Sequence, residues 1–277
     1  FDKIVEVFRR TGRCVPVFSD KHFSYDPVSA HAMFNTAQRM GFPLTGGSSI
    51  PHALAREEGS RNPAAPLREM VSVFYGGREV YGFHALEFVQ PLVDRRPGAE
   101  RGIRCITAYP REQFDEVFQR KLWSHELMEQ ARLISHKLDP GDWRENVRSS
   151  KQGGDVFIVE YFDGLKVTHV NLDGAIRGWS CAAIESSGNT WVRGAMLGGK
   201  DLFYVHFARL SARIEQELIT GKPAYNPKRL LLTTLATDAM VRAFAQPGVP
   251  LMTPDLAISY RSEEHTSELQ SPCNLVC

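Results

Sequence analysis

Residues 1–50 spell helix, strand, helix, strand, and two strands cannot complete the kind of sheet that this alternation builds. Phe1, Ile4, Val5 and Phe8 fall on one face of a helix over residues 1–10, which Gly12 can end. Cys14–Phe18 (CVPVF) is an apolar run of strand length, and the polar SDKHFSYD follows it. Asp26 then Pro27 is a helix start, a capping side chain before a proline at the first helical position. That helix runs to Met40 with Ala30, Met33, Phe34 and Ala37 as its apolar stripe, and Gly41 stops it. FPLTG reads as a second strand and GGSSIP as a tight small-residue loop. Helices alternating with strands predict a parallel sheet with crossover helices. The remaining strands of that sheet are expected upstream of Phe1.

A different pattern follows. His52–Arg68 is rich in Ala, Arg, Glu and Pro and reads as a linker. MVSVFY and IRCITAY read as strands, with a helix over Tyr81–Asp94 between them. Helical segments are expected over Arg111–Gln119 and Ser124–His136. DVFIVEY and LKVTHVNL alternate and are joined by Phe162-Asp163-Gly164, a hairpin signal. Two further strands are expected in Ile176–Ile184 and Thr190–Met196. A helix over Leu202–Thr220 ends at Gly221, and Asn226-Pro227 opens another that runs to Ala245. The expected class is α/β: a partial parallel sheet over residues 1–50, then an α+β domain over 51–260 with an open, mainly antiparallel sheet.

The chain has 277 residues, 43% hydrophobic and 23% charged, with a net charge of +1. Neither the net charge nor any basic block points to nucleic acid. No apolar run approaches membrane-spanning length. The five cysteines are scattered without zinc spacing, so they read as small buried hydrophobes in a reducing compartment, and the cytoplasm is the expected location. No metal site is expected. The chain opens on Phe1 rather than Met, and FDKIVEVFRR is amphipathic rather than a leader peptide, so the native start is expected upstream. From Arg261 the apolar periodicity stops. RSEEHTSELQS and NLVC resemble the translation of a sequencing-library adapter, so residues 261–277, with His265, Cys273 and Cys277, are expected to be a non-native disordered tail.

The order of elements resembles the Gfo/Idh/MocA oxidoreductases. GRCVPVFSDKHFSYDPVSAHAMFNTAQRMGFPLTGG is similar to the last strands of that family's nucleotide-binding domain, where a strand ends in E-K-P. Asp20-Lys21-His22 stands in that place, with His22 where the motif has proline. YGFHALEFVQPLV resembles the helix that carries a catalytic histidine, here His84 with Glu87 one turn on. HFARLSARIEQELITGKPAYNPKRLLLTTLATDAMVRAF is similar to the family's closing helix pair with its G-x-P loop. The resemblance extends over Phe1–Tyr260. It implies a Rossmann-like remnant over residues 1–50 and a substrate and oligomerisation domain over 51–260. It implies NAD or NADP as cofactor and a small sugar or polyol as substrate. The phosphate-cradling glycine turn belongs to the first strand of such a domain and is expected upstream of this chain.

Lys21 follows a strand, so it sits at the carboxyl edge of the parallel sheet, where ligands bind. An ammonium there can hydrogen-bond a substrate oxygen and stabilise developing charge. His84, early in its helix, can take or give the hydroxyl proton. Lys21 and His84 are the expected catalytic pair. Asp20, His22 and Glu87 are expected beside them, with Glu87 orienting the His84 ring or standing solvated on the helix. Lys21, Gly46 and Gly47 are expected at the cofactor. Tyr25 and His52 are near enough in sequence to line the same crevice. His169 and His206 read as structural, and Trp123, Trp143, Trp179 and Trp191 as core or interface residues. The expected activity is NAD(P)-dependent hydride transfer at a sugar or polyol hydroxyl, by a chain that is inactive in isolation. Two alternatives stand beside it. One is a relative that binds a carbohydrate without redox chemistry. The other is a structural protein that forms a homo-oligomer through its open sheet.

Overall fold

The computed structural model describes residues 1–136, 141–197 and 204–262. Helices α1 (Asp2–Thr11) and α2 (Pro27–Met40) alternate with strands β1 (Val17–Asp20) and β2 (Leu44–Gly47). Asp26 caps α2 by accepting the Ser29 N–H at 2.8 Å, and Gly12 and Gly41 end the two helices. β1 and β2 pair in parallel, with Asp20 opposite Gly47. β1 lies later than CVPVF suggests: Cys14 and Val15 are exposed, and pairing starts at Val17.

The second sheet has eight strands. They are β3 (Leu54–Glu58), β4 (Leu67–Phe74), β5 (Ile103–Tyr109), β6 (Val156–Tyr161), β7 (Lys166–Asn171), β8 (Ser180–Glu185), β9 (Thr190–Met196) and β10 (Leu251–Met252). Their order is β10-β5-β6-β7-β4-β8-β9-β3, antiparallel throughout except for the parallel pair β4 and β7. Tyr161-Phe162-Asp163-Gly164-Leu165 closes the β6–β7 hairpin, where the Tyr161 N–H donates to the Leu165 carbonyl. The fold is thus mixed α/β, with a small parallel sheet and a larger, mostly antiparallel one.

Helices cover both faces of the large sheet. α3 (Arg78–Val93) and α8 (Pro227–Ala243) pack on one face, over Met70, Phe74, Phe157 and Val167. The same apolar cluster continues through Phe8, Ala30, Phe42 and Leu44, so one core spans both sheets. On the other face α4 (Phe114–Gln119), α5 (His125–Ile134) and α6 (Trp143–Ser149) close a second cluster around Val71, Val73, Val156, Val170 and Ala182. The sheet expected to serve as an oligomer face thus carries this chain's own helices on both sides. The strands are apolar on both sides, and such strands need cover on both sides. α7 (Val205–Thr220) leads through Gly221 into α8. Its expected start at Leu202, like the tail from residue 263, lies outside the described residues. Among the described residues no helix is long and apolar enough to cross a membrane.

Other segments differ from the expectation as well. The linker contains β3, the edge strand paired to β9, whose side chains are mostly exposed and charged. Charge on an edge strand guards it against further pairing, and it also erases the apolar alternation that marks a strand. Short α6 has one buried residue, Val147, too few for a helical stripe.

A buried polar network ties the end of α3 to the β6–β7 turn and to the C-terminal segment. Arg96, 4% exposed, donates to Glu100 at 3.0 Å and to Asp163 at 2.6 Å, and its guanidinium lies over the Tyr161 ring. Burial works against that charge, but Glu100 and Asp163 raise its pKa above the ordinary arginine value. Gln90 donates to Glu100 and to the Tyr260 hydroxyl, and accepts from the Tyr161 hydroxyl. Removing Arg96 strands two carboxylates. Arg96→Ala is expected to destabilise the protein by about 3–5 kcal/mol in urea denaturation.

His169, in β7, is fully buried and stacked on Phe157 at 4.4 Å, and neither ring nitrogen has a hydrogen-bond partner. Burial pushes its pKa down to about 3. The folded value lies below the unfolded one, so the unfolded chain gains the proton first as pH falls. Stability is then lost from near pH 6.5 downward, at about 1.4 kcal/mol per pH unit until the folded value is reached. The urea midpoint of His169→Phe is expected to fall less between pH 7 and pH 5 than that of the unmodified protein.

Candidate active site

β1 and β2 end side by side, and the chain turns sharply at both ends. Lys21 takes a left-handed backbone with φ of 69°, and its carbonyl accepts the Gly47 N–H at 2.7 Å. This brings Asp20, Lys21, Gly47 and Ser48 to the rim of a cleft of about 910 Å³. Across it stand His84 and Tyr81 from α3, Tyr75 after β4, Arg177 and Trp179 before β8, and Tyr204 and His206 at the start of α7. Lys21 and His84, 63 positions apart by their numbers, therefore line one cavity.

Lys21 Nζ donates to Asp20 Oδ2 at 2.9 Å, and both side chains are substantially exposed. His84 is half-buried. Trp179 meets its ring edge-on at 5.5 Å and Tyr81 does so at 6.1 Å. Its Nδ1 lies 2.7 Å from Ser48 Oγ, which also accepts the Ile50 N–H at 3.0 Å. No described residue bonds Nε2. Burial, and then the charge of Lys21, lower the His84 pKa to about 4, so the ring is neutral at physiological pH. A neutral ring whose Nδ1–H points at Ser48 leaves Nε2 as a proton acceptor.

Glu87 is neither solvated nor bonded directly to the His84 ring. It is 3% exposed, and it bonds not to the His84 ring but to the Ser48 N–H (3.1 Å) and the Thr233 hydroxyl (2.6 Å). Burial raises its pKa, against the Arg229 charge and these two hydrogen bonds. Glu87 thus anchors Ser48, and Ser48 touches His84.

His22 also departs from its expected place. It does not line the main cleft. It sits in a separate small hollow with Ser24, Tyr25 and Glu79, its ring edge-on to Phe83 at 5.4 Å. The left-handed turn at Lys21 sends consecutive side chains to different sides. Tyr25 is with His22, and His52 is not part of the cleft lining.

Gly46 does not face the cleft either. A Cβ there would meet the Ser19 carbonyl at 2.3 Å and Leu230 at 2.7 Å, and its own carbonyl accepts the Tyr225 hydroxyl. Gly47 reaches the cleft only with its backbone. Its φ is 115°, and a Cβ would lie 2.5 Å from Glu87 Oε2. Close packing leaves no room for a side chain at either glycine.

Ser48, Tyr75, Tyr81, Arg177 and Trp179 are site residues that sequence reasoning did not select. Tyr81 was accessible from spacing, because it lies three residues before His84 on the same helical face. Tyr75 follows a strand at its carboxyl end, where ligands gather. His206, read as structural, bonds the Leu197 carbonyl through Nδ1 and also lines the cleft.

No family profile and no curated protein matches the sequence. Solved structures do share the fold. GenD2 from gentamicin A biosynthesis, in complex with NAD, superposes with a TM-score of 0.56 at 13% identity, over 90% of this chain and 74% of that one. The WlbA dehydrogenase from Bordetella pertussis, in complex with NADH and UDP-GlcNAcA, gives 0.50 at 12% identity, over 91% and 75%. A myo-inositol dehydrogenase from Corynebacterium glutamicum gives 0.50 at 9% identity, over 90% and 76%. The chain therefore has a fold found in nicotinamide-dependent dehydrogenases.

Gly47→Ala is expected to cost about 1–3 kcal/mol, because it places a side chain in a conformation and a space that both exclude one. Thermal or urea denaturation measures this.

Proposed function

We propose that the cleft carries out hydride transfer at a hydroxyl of a sugar-like substrate, as a dehydrogenase that uses NAD or NADP. One observation carries the reading: an ammonium and a neutral imidazole share a cleft beside the carboxyl ends of paired parallel strands. In this reading residues 1–50 face the nucleotide and residues 51–260 the substrate.

The residues present suit the nicotinamide end of such a cofactor. Lys21 and the Gly47 backbone stand at the strand ends, and about 910 Å³ accommodates a ring and a small polyol together. The sequence contains no G-x-G-x-x-G turn, so no residue of this chain is assigned to the pyrophosphate. When bound, the nicotinamide supplies the hydride acceptor or donor. The protein's own groups handle the proton and the oxygen. His84 Nε2 takes the proton of the reacting hydroxyl during oxidation and returns it during reduction. Lys21 Nζ donates a hydrogen bond to the same oxygen and stabilises its partial negative charge. Asp20 holds Lys21 in place, and the Glu87–Ser48 link orients the His84 ring.

In full-length protein with a complete nucleotide-binding domain, Lys21→Ala and His84→Ala are each expected to lower kcat/KM for NAD(P)-linked oxidation of a polyol by about 10²- to 10⁴-fold. Undiminished turnover by Lys21→Ala would sink the assignment. The His84 ring should titrate near pH 4 by NMR, and higher in Lys21→Ala, because a neighbouring positive charge has been removed.

A further inference from the structure

The wall of the cleft opposite Asp20 carries chemistry that a neutral polyol leaves unused. Arg177 projects from the loop between β7 and β8 and is exposed at the cleft lining. Among the described lining residues Asp20 is the single carboxylate, and it is paired with Lys21. No described carboxylate lies within ion-pair distance of Arg177. Among the described lining residues Lys21 and Asp20 form an ion pair, which leaves the Arg177 guanidinium as a permanent charge with no carboxylate beside it.

Arg177 is also placed by its neighbours. Its backbone N–H donates to the His136 carbonyl at 2.9 Å, and its guanidinium lies beside the Tyr75 hydroxyl. The Tyr75 ring sits 4.9 Å from both Tyr81 and Trp179. Tyr81 lies parallel to Trp179 at 5.5 Å, and the indole N–H is engaged by the Tyr81 carbonyl at 3.3 Å. The result is an aromatic wall with a planar cationic fork at one end and the Lys21–His84 pair at the other. Carbon skeletons pack on such walls, and the fork matches the paired oxygens of a carboxylate or phosphate.

We propose that the substrate is anionic: a sugar-like molecule whose carboxylate or phosphate is held by Arg177, whose carbon skeleton lies along the half-buried Tyr75 and Tyr81, with Trp179 buried against them, and whose reacting hydroxyl reaches Lys21 and His84. This rests on the dehydrogenase reading of the same cleft, and its test reads binding alone. Titration calorimetry of the full chain uses D-gluconate, D-glucose 6-phosphate and neutral D-glucose as probes, with Arg177→Gln as the variant. One of the two anions should bind at least about tenfold tighter than glucose, and Arg177→Gln should abolish that margin with no change in thermal midpoint. The preferred anion distinguishes a carboxylate from a phosphate. Equal affinity for all three probes, no measurable binding of either anion, or a preference that survives in Arg177→Gln overturns the proposal. The two readings fail separately. NAD(P)-linked oxidation confined to neutral polyols removes the anion site and leaves the dehydrogenase. Arg177-dependent anion binding without hydride transfer does the reverse.

Discussion

The candidate site depends on one buried carboxylate. Glu87 lies on α3, yet its oxygens hold the Ser48 backbone after β2 and the Thr233 hydroxyl of α8. Three segments distant in sequence meet at one side chain. Such a group is costly to bury and is tolerated because each oxygen has a donor and Arg229 supplies an opposing charge. The surrounding packing follows from it. Gly47 has no room for a side chain because Glu87 fills that space, and Tyr225, just before α8, and Thr233 of α8 complete the enclosure.

This anchor explains how a histidine on a helix of the large sheet comes to line one cleft with a lysine that follows a strand of the small one. Glu87 fixes the Ser48 amide, and the Ser48 hydroxyl meets the ring at Nδ1. The burial that immobilises His84 also keeps it uncharged, and the Lys21 ammonium adds to that effect. Positioning and electrostatics therefore share a cause. Asp20 limits the second effect by offsetting part of the lysine charge.

Much of the fold was legible because local signals and tertiary structure agreed. The Asp26 cap, the Asn226-Pro227 start, the Asp163-Gly164 turn and the IRCITAY strand stand where the sequence puts them. β3 was not legible, because its Leu-Ala-Arg-Glu-Glu composition suits an exposed edge and carries no period. At the site, position after a strand drew attention to Lys21, but a family resemblance was needed to single out both Lys21 and His84. The resemblance could not show that the backbone at Lys21 turns left-handed, which parts His22 from its neighbour. Nor could helical spacing reveal that Glu87 reaches away from the ring, because the partner that draws it is a backbone amide of a distant loop. Arg177, Tyr75 and Trp179 converge only through strand order, and no local pattern encodes that.

Strand order also bears on how the polypeptide is made. β4 occupies the middle of the large sheet, yet both of its neighbours, β7 and β8, come much later in the chain. On a ribosome adding 5–20 residues per second, roughly a hundred residues separate β4 from its first partner, an interval of about 5–20 s. Throughout that time the apolar Met70–Phe74 stretch is a sticky, unpaired segment on a nascent chain. The same topology that builds a continuous core leaves the growing protein dependent on α3, the first element able to shield it.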